Sequence, residues 1–398
     1  MRAMKDSGVE WLGEVPADWG LHRGKRLFRL TNDRGNDDLT LLAATQKYGM
    51  WPQSRLEGVV RVKEDTDLST FRTVHKNDFV ISLRSFQGGF ERSDFEGVCS
   101  PAYQTFCATR PIDHQYFKYL FKSPSFIDHM NSLTLGIREG KTIKFDDFAV
   151  QKLPVPPVEE QARIADFLDA KCAEVDRAVS AAEQSIQELY AYRSSRLEEA
   201  IAKVARTTSV EKLKYVLTES KERSADGVGE PLSITIARGV LRSSELSIPN
   251  PTSTLVGAKV VHAGDLVFNK LKAYFGVMYV SPYDGLISPE YAIYRALDPE
   301  KTSLKYLEYV FHTAAVIDEF KIRISGVADG FRRLYTSDLF DIAVPMPTVD
   351  EQRRIAAELD DTYAAISDSI AAKQAIIDEL KSYKQSLIYE AVTGKLEV

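Results

Sequence analysis

The sequence predicts a mixed α/β protein built as two similar halves, each a globular domain followed by a long helix. Residues 154–201 align without a gap onto residues 345–392, and 19 of these 48 positions are identical, where unrelated segments would share roughly three. The segments before the two copies hold short β-branched and aromatic runs, DFVISL and DLVFNKL, that are typical of strands. The halves are therefore copies of one plan.

Each copy begins with prolines and then predicts a long helix. The copies open as LPVPPVEEQARIADFLD and AVPMPTVDEQRRIAAELD. Prolines hold a chain extended, and the acids that follow complement the positive end of a helix dipole in its first turn. Apolar positions then recur at alternating steps of four and three, with no Pro or Gly before Gly394.

This stripe predicts that the two helices pair as an antiparallel intramolecular coiled coil with pseudo-two-fold symmetry. The alternative is a stripe on the rim of a larger helical core. The candidate residues for the partner and helix interface are Leu168, Val175, Val179, Ile186, Leu189, Leu359, Ile366, Ile370, Ile377 and Leu380.

The repeat divides the chain into four parts. We expect a first recognition domain at 1–152, a spacer helix at 153–206, a second recognition domain at 207–343 and a second spacer helix at 344–398. The domains resemble each other more loosely than the helices do. For example, the sequence around Tyr116 and Tyr119 parallels that around Tyr306 and Tyr309.

Composition excludes several classes of protein. The 398 residues include three cysteines, without a Cys-x-x-Cys pair or a neighbouring His, so neither a disulfide framework nor a metal site is expected. The N-terminus lacks the order of a signal peptide, and no apolar run approaches the roughly 20 residues of a membrane span. We therefore expect a cytoplasmic protein.

The net charge of −6 is unevenly distributed, because the excess of acids falls in the helical segments and leaves the domains near neutral. Each domain has room for a basic face. Arg and Lys contact phosphates, and Arg and Gln can also bind base edges. The candidate DNA-binding residues are Arg84, Gln87, Arg92, Arg138, Lys141, Lys144, Arg238, Lys270, Lys272, Arg332 and Arg333.

Catalytic patterns are missing from the sequence. It has no G-x-x-x-x-G-K-[ST] loop for a nucleotide and no Asn-Pro-Pro-Tyr motif of an amino-methyltransferase. Glu159 and Glu160 are adjacent at a helix start, where dipole complementation explains them better than acid/base chemistry. The sequence therefore predicts a protein that is not an enzyme and uses no cofactor of its own.

The duplicated P-x-P-x-x-[ED]-E-Q-x-R-I-A segment resembles the specificity subunit of type I restriction-modification systems. The opening SGVEWLGEVPADW and the run FVISLRSFQGGF are also similar to that family. The resemblance implies two target-recognition domains that read a bipartite site in double-stranded DNA. It also implies two methyltransferase subunits docked on the helices, with restriction subunits as further partners. S-adenosylmethionine, ATP and magnesium would be used by those partners.

Two other functions stay open at this stage. One is a coiled-coil scaffold that binds protein without DNA specificity. The other is an enzyme that acts on nucleic acid alone, for which the sequence offers no nucleophile, metal cluster or cofactor loop. A protein that contacts phosphates loses DNA affinity steeply with salt, which separates the scaffold from a DNA reader.

Overall fold

The computed structural model describes residues 2–36, 38–46, 48–56, 68–82, 89–133, 143–236, 238–246, 255–324 and 333–398. The chain forms two compact units. Unit 1 comprises Met1–Glu183 and Gln374–Val398, and unit 2 comprises Gln184–Lys373. Each unit thus contains one globular domain, a part of the first long helix and a part of the second.

Unit 1 is built on a four-stranded antiparallel sheet. The strands of its domain are β1 (Met4–Asp6), β2 (Glu14–Pro16), β3 (Gly20–Arg23), β4 (Phe28–Thr31), β5 (Leu42–Thr45), β6 (Gly49–Pro52), β7 (Arg72–Val74), β8 (Phe79–Ser82), β9 (Glu91–Arg92), β10 (Gly97–Cys99), β11 (Tyr103–Ala108) and β12 (Lys152–Val155). The helices are α1 (His114–Lys122), α2 (Pro124–Ser132), α3 (Phe145–Ala149) and the long α4 (Val158–Ala205), which continues into unit 2. The four-stranded sheet has the order β4-β11-β8-β9, and two-stranded pairs β1-β2, β3-β12, β5-β6 and β7-β10 surround it.

Unit 2 repeats this arrangement. Its strands are β13 (Val210–Lys212), β14 (Leu217–Glu219), β15 (Leu232–Thr235), β16 (Gly239–Arg242), β17 (Lys259–Val261), β18 (Leu266–Phe268), β19 (Met278–Val280), β20 (Gly285–Ile287), β21 (Ala292–Ala296) and β22 (Ala343–Pro345). The helices are α5 (Leu304–Phe311), α6 (Ala314–Arg323), α7 (Thr336–Phe340) and the long α8 (Val349–Val392), which continues into unit 1. The four-stranded sheet has the order β14-β21-β18-β19, with pairs β13-β22, β15-β16 and β17-β20.

Aromatic side chains build the core of unit 1 between its sheet and its short helices. Phe28, Phe79 and Phe106 come from adjacent strands, and Phe28 meets Phe117 of α1 with the ring centroids 5.2 Å apart. All four side chains are almost fully buried. Edge-to-face packing of such rings adds to the stabilisation from their buried area.

The two long helices pair in antiparallel fashion within each unit. In unit 1 the Lys384 ammonium of α8 lies 2.7 Å from the Asp176 carboxylate of α4. In unit 2 the Arg193 guanidinium of α4 lies 4.1 Å from the centroid of the Tyr363 ring of α8. Residue numbers rise along one helix as they fall along the other, which is the signature of an antiparallel pair.

The duplicated Glu-Gln motif fastens each domain to its helix. The Gln161 carboxamide accepts a hydrogen bond from the Asp113 backbone N–H at the start of α1 and donates one to the Pro156 carbonyl, both 2.8 Å long. Gln352 makes the same two bonds, to the Ser303 backbone N–H and the Pro347 carbonyl, also at 2.8 Å. The glutamines are buried, so each bond is shielded from water.

A tyrosine on the first short helix of each domain makes a second duplicated contact. The Tyr119 hydroxyl donates to the Asp169 carboxylate at 2.5 Å, and the Tyr309 hydroxyl donates to the Asp360 carboxylate at 2.6 Å. These contacts explain physically why Gln and Asp recur at the same positions of the repeat. These identical residues of the repeat form the same junction between domain and helix in both units.

The predicted fold class is confirmed: two mixed α/β domains are each followed by a long helix, and the two helices pack against each other. The helices begin at Val158 and Val349, after the prolines, which lie in or beside the short strands β12 and β22. The predicted limits of the four sequence segments stay a prediction. None of the helices that the structure describes has an apolar stretch long enough to span a membrane.

Candidate nucleic-acid interface

The two four-stranded sheets place candidate residues on equivalent loops. The loop between β8 and β9 contains Arg84 and Gln87, which lie outside the described residues. The loop between β18 and β19 contains Lys270 and Lys272 and is described. Because the strand order is the same in both sheets, the strands that flank the two loops are equivalent.

The loop of unit 2 folds into a 3-10 segment, Lys270–Phe275, that is kinked at Lys272, where φ is −117° and ψ is 26°. The Asn269 side-chain oxygen caps it by accepting hydrogen bonds from the backbone N–H groups of Leu271 and Lys272, at 3.1 and 3.2 Å. Gly276 ends it with a φ of 69°, a conformation that glycine adopts without strain. A short, capped turn of this kind presents its side chains in a defined direction.

Lys270 and Lys272 have different surroundings. The Lys270 ammonium is half-buried and lies 3.4 Å from the Glu219 carboxylate, which also pairs with Lys259 at 3.1 Å. Lys272 is exposed to solvent. The pKa of the Glu219 carboxyl lies below its ordinary value. Burial alone would raise this pKa, but hydrogen bonds from Thr336 and Lys259 stabilise the carboxylate and outweigh the effect of burial. Of the two lysines, Lys272 is the one whose side chain is exposed.

Two further candidates of unit 2 lie on segments connected to this loop. The Leu334 backbone N–H donates to the Lys270 carbonyl at 3.1 Å, so Arg333 lies on a segment bonded to the 3-10 helix. Arg238 lies in the turn between β15 and β16, and the Ile236 carbonyl of that turn accepts a hydrogen bond from the Tyr279 hydroxyl of β19 at 2.6 Å. The fold therefore connects three candidate segments that are distant in sequence.

Both arginines are engaged with acids of their own domain. Arg333 pairs with Glu290 at 2.8 Å, and Arg238 lies 3.6 Å from Glu245. The Arg238 side chain is 60% exposed, so this pair is open to competition from another anion. Arg332 lies outside the described residues.

In unit 1 the described candidates are Arg92 and Lys144. Arg92 lies on the edge strand β9, pairs with Asp94 and is 15% exposed. Lys144 is exposed at the start of α3, where its backbone N–H donates to the Asp147 carboxylate at 3.0 Å. Arg138 and Lys141 lie outside the described residues. The DNA-binding assignments therefore stay predictions in both domains.

Sequence reasoning missed two aromatic residues on the same loop of unit 2. Tyr274 and Phe275 follow Lys272 after Ala273, their ring centroids are 4.2 Å apart, and Phe275 is 55% exposed. An exposed aromatic beside cations can pack against thymine methyl groups or nucleobases. The interleaving of basic and aromatic residues in NKLKAYF was the available signal.

Both domains bury a carboxylate at the same place, and its partners differ. In unit 2 the Arg295 guanidinium reaches both oxygens of Asp265, at 2.9 and 3.0 Å. The strand register places Asp78 and Cys107 at these two positions in unit 1. Asp78 is buried there and accepts a hydrogen bond from the His75 backbone N–H at 2.9 Å. Burial is the main influence on Asp78 and raises the pKa of its carboxyl.

The predicted helix interface residues lie along the buried side of the helix pair. Leu168, Val175, Val179, Ile186, Leu359, Ile366 and Ile377 are buried, and Leu189, Ile370 and Leu380 are half-buried. Leu168 belongs to the core of unit 1 together with Leu387 and Ile388 of α8. Leu359 belongs to the core of unit 2 together with Leu197 and Ile201 of α4. Their assignment to the interface with a partner protein stays a prediction.

In the ranges that the structure describes, no three His, Cys, Asp or Glu side chains are grouped so as to hold a metal ion. The three cysteines are not disulfide-bonded, and burial raises the pKa of the Cys99 thiol to about 12. A thiol with such a pKa is a poor nucleophile at neutral pH.

Comparison with known proteins adds independent evidence. Residues 21–188 match the family of the type I restriction modification DNA specificity domain. The putative type I restriction enzyme MjaX specificity subunit of Methanocaldococcus jannaschii is 22% identical, over 97% of this chain and 96% of its own length. The type I restriction enzyme EcoKI specificity subunit of Escherichia coli K12 is 23% identical, over 81% of this chain and 75% of its own length.

Solved structures share the fold. A chain from work on complex assembly and conformational transition of the type I R-M system matches with a TM-score of 0.70 and 17% identity, over 96% of this chain and 99% of that one. The HsdS subunit from Thermoanaerobacter tengcongensis matches with a TM-score of 0.58 and 17% identity, over 99% of this chain and 100% of that one.

The fold and its duplicated junctions thus define a class of protein in which two mixed α/β domains are fastened to a pair of long helices. The sequence resemblance to type I specificity subunits is confirmed. The chain is similar in sequence to type I restriction-modification specificity subunits, and residues 21–188 match their DNA specificity domain.

Proposed function

We propose that this chain reads a bipartite DNA sequence, with one half-site for each α/β domain. The observation that carries the proposal is the contrast between the two kinds of segment. The junctions between domain and helix repeat the same glutamine contacts, made by Gln161 in unit 1 and Gln352 in unit 2, whereas the loops on equivalent sheets carry different side chains. Two different reading domains on one repeated support suit recognition of two unlike half-sites.

The same proposal assigns the helices two roles. They dock two methyltransferase subunits, and they set the distance between the half-sites. The 48 residues of α4 extend about 72 Å at 1.5 Å per residue, and a DNA turn is roughly 34 Å. A support of this length suits half-sites one or two turns apart on one side of the duplex.

We further propose that the chain itself is not catalytic. Adenine methylation with S-adenosylmethionine would take place on the methyltransferase subunits, and cleavage driven by ATP and magnesium on restriction subunits. In this arrangement the present chain selects the DNA sequence at which its partners act. Its interaction with DNA depends on phosphate contacts from exposed cations such as Lys272.

Shortening both helices together tests the proposed spacing. Deleting residues 180–186 and 371–377 removes one heptad from each helix at the same place in the repeat, so the apolar stripe stays in register. The support shortens by about 10 Å, and at roughly 3.4 Å per base pair the gap should shrink by about three base pairs.

The gap is measured by mapping methylated adenines after co-expression with the methyltransferase partner. Ser180→Ala, an exposed change at the same place, is the matched control and should leave the gap unchanged. Unchanged half-sites with a shorter gap support the proposal. An unchanged gap, or altered half-sites, would contradict it.

A further inference from the structure

A polar cluster centred on Glu219 lies beneath the candidate DNA-binding loop of unit 2. The Glu219 carboxylate accepts hydrogen bonds from Lys259 at 3.1 Å, Lys270 at 3.4 Å and the Thr336 hydroxyl at 2.5 Å. The Tyr294 hydroxyl lies 3.0 Å from the same Thr336 hydroxyl. One carboxylate therefore joins β14 to β17, to the 3-10 helix and to α7.

Unit 1 has the same sheet without this cluster. Strand register and the internal repeat place Leu30, Arg72, Phe106 and Phe145 at the positions of Glu219, Lys259, Tyr294 and Thr336. Phe106 and Phe145 pack there with their ring centroids 5.5 Å apart. Since unit 1 forms the same sheet with Leu30 in place of the acid, the fold does not require a carboxylate at this position.

The cluster contacts the 3-10 segment Lys270–Phe275 through the Lys270 side chain. Its backbone is anchored by the Asn269 cap and by the Leu334 N–H on the Lys270 carbonyl. The Lys270 side chain is turned inward to Glu219, while Lys272 and Phe275 remain exposed. Removing the acid would free the Lys270 ammonium to compete for the anions that Lys272 would otherwise meet.

We infer that Glu219 is a positioning residue of the second reading domain: it holds Lys270 inward and so orients Lys272 and Phe275 for contact with DNA. This inference rests on the proposed function. Glu219 acts through the loop, because its carboxylate is already engaged by Lys259, Lys270 and Thr336.

The negative charge of Glu219 is what holds the Lys259 and Lys270 ammonium groups in place. Lys259 is 7% exposed, and Glu219 lies between it and Lys270. Charge-assisted hydrogen bonds are about twice as strong as neutral ones, and a buried ammonium that loses its counter-ion is destabilised. Glu219→Gln keeps the size of the side chain and removes this charge.

The first readout is hydrogen exchange of the full chain without DNA. In Glu219→Gln the amides of 270–277 should exchange about tenfold faster, whereas those of β18 and of unit 1 should not change. Glu222→Gln is the matched control, because Glu222 is an acid of the same domain that pairs with Arg295 and His262 at the surface. Equal exchange of the loop in both variants would overturn the inference.

The second readout is the map of methylated adenines in the complex with the methyltransferase partner. Discrimination at the second half-site should fall about tenfold in Glu219→Gln, with the first half-site unchanged. Unchanged discrimination at both half-sites, or equal loss at both, would overturn the inference. A wild-type chain that shows no bipartite motif would instead overturn the proposed function, and the exchange data would still decide whether Glu219 holds the loop.

A second variant guards against general unfolding of unit 2. Lys270→Gln removes only the link to the loop and leaves the Lys259–Glu219 pair in place. It should accelerate exchange of 270–277 to the same extent as Glu219→Gln, and the double variant should add nothing further. If the two substitutions accelerated exchange of 270–277 additively, Glu219 would not act on the loop through Lys270.

Discussion

Replacing Glu160 with Gln should weaken unit 1 far more than the same change at Glu351, its counterpart in the repeat. The Glu160 side chain is 10% exposed and accepts hydrogen bonds from the Trp19 indole N–H and the Arg2 guanidinium, each at 3.1 Å. It thereby fastens the N-terminal segment to the start of α4. Glu351 is 40% exposed and pairs with Arg354 at 2.7 Å.

The contacts set the expected sizes. A buried hydrogen bond to a charged group contributes about 1.5–3 kcal/mol, and loss of the carboxylate leaves the Trp19 indole and Arg2 with a weaker partner. The exposed pair of Glu351 is worth about 0–1 kcal/mol. With a urea dependence of about 2 kcal/mol per molar, Glu160→Gln should lower the unfolding midpoint by about 1 M, and Glu351→Gln by less than half of that.

Tryptophan fluorescence during urea unfolding is a suitable assay, since all three tryptophans of the chain, Trp11, Trp19 and Trp51, belong to unit 1. Circular dichroism of the same samples reports on both units. A midpoint shift for Glu160→Gln no larger than that for Glu351→Gln would refute the reasoning, because the two residues share sequence context and differ in burial and partners.

Three further predictions follow from single residues. Leu168→Ala and Leu359→Ala should each lower the free energy of unfolding of their own unit by about 2–5 kcal/mol. Tryptophan fluorescence reports directly on Leu168→Ala in unit 1. A decrease below about 1 kcal/mol would contradict the place of these residues in the cores. Asp78→Asn should stabilise unit 1, and the gain should increase as the pH rises above the ordinary pKa of 3.8, because the raised pKa of Asp78 makes its ionised form unfavourable in the folded state. Thermal unfolding at pH 4 and pH 7 measures this gain. A larger gain at pH 4 than at pH 7 would contradict the prediction. Lys272→Ala should weaken DNA binding for all sequences and reduce the slope of log affinity against log salt by about 1, and an unchanged slope would remove Lys272 from the interface.

Local signals carried most of what the sequence could predict. The stripe through Leu168, Val175 and Val179 depends on spacing along one helix, and it predicted the helix pair because i and i+4 neighbours share a face in any α-helix. The internal repeat predicted two similar domains for the same reason: identical local sequences form identical junctions, as Gln161 and Gln352 do.

Contacts between distant segments could not be predicted in this way. The sheet order depends on pairing of β4 with β11, about 75 residues further along the chain, and strand runs alone do not specify partners. The Glu219 cluster draws on four separate segments, so neither its lysines nor Thr336 suggested it. Lys270 was predicted to bind DNA from its sequence alone, and its contact with Glu219 depends on a strand about 50 residues earlier in the chain. Its role in DNA binding stays a prediction, and Lys272 is the exposed lysine of the pair.

Mapping methylated adenines across a genome, after co-expression of the chain with its methyltransferase partner, tests the central claim most directly. We expect a bipartite motif: two short specified half-sites, one for each α/β domain, separated by a gap of fixed length and unspecified sequence. Exchanging residues 210–345 for the corresponding domain of a relative should change one half-site and leave the other half-site and the gap as they were. A continuous motif, or methylation without any sequence preference, would contradict the account.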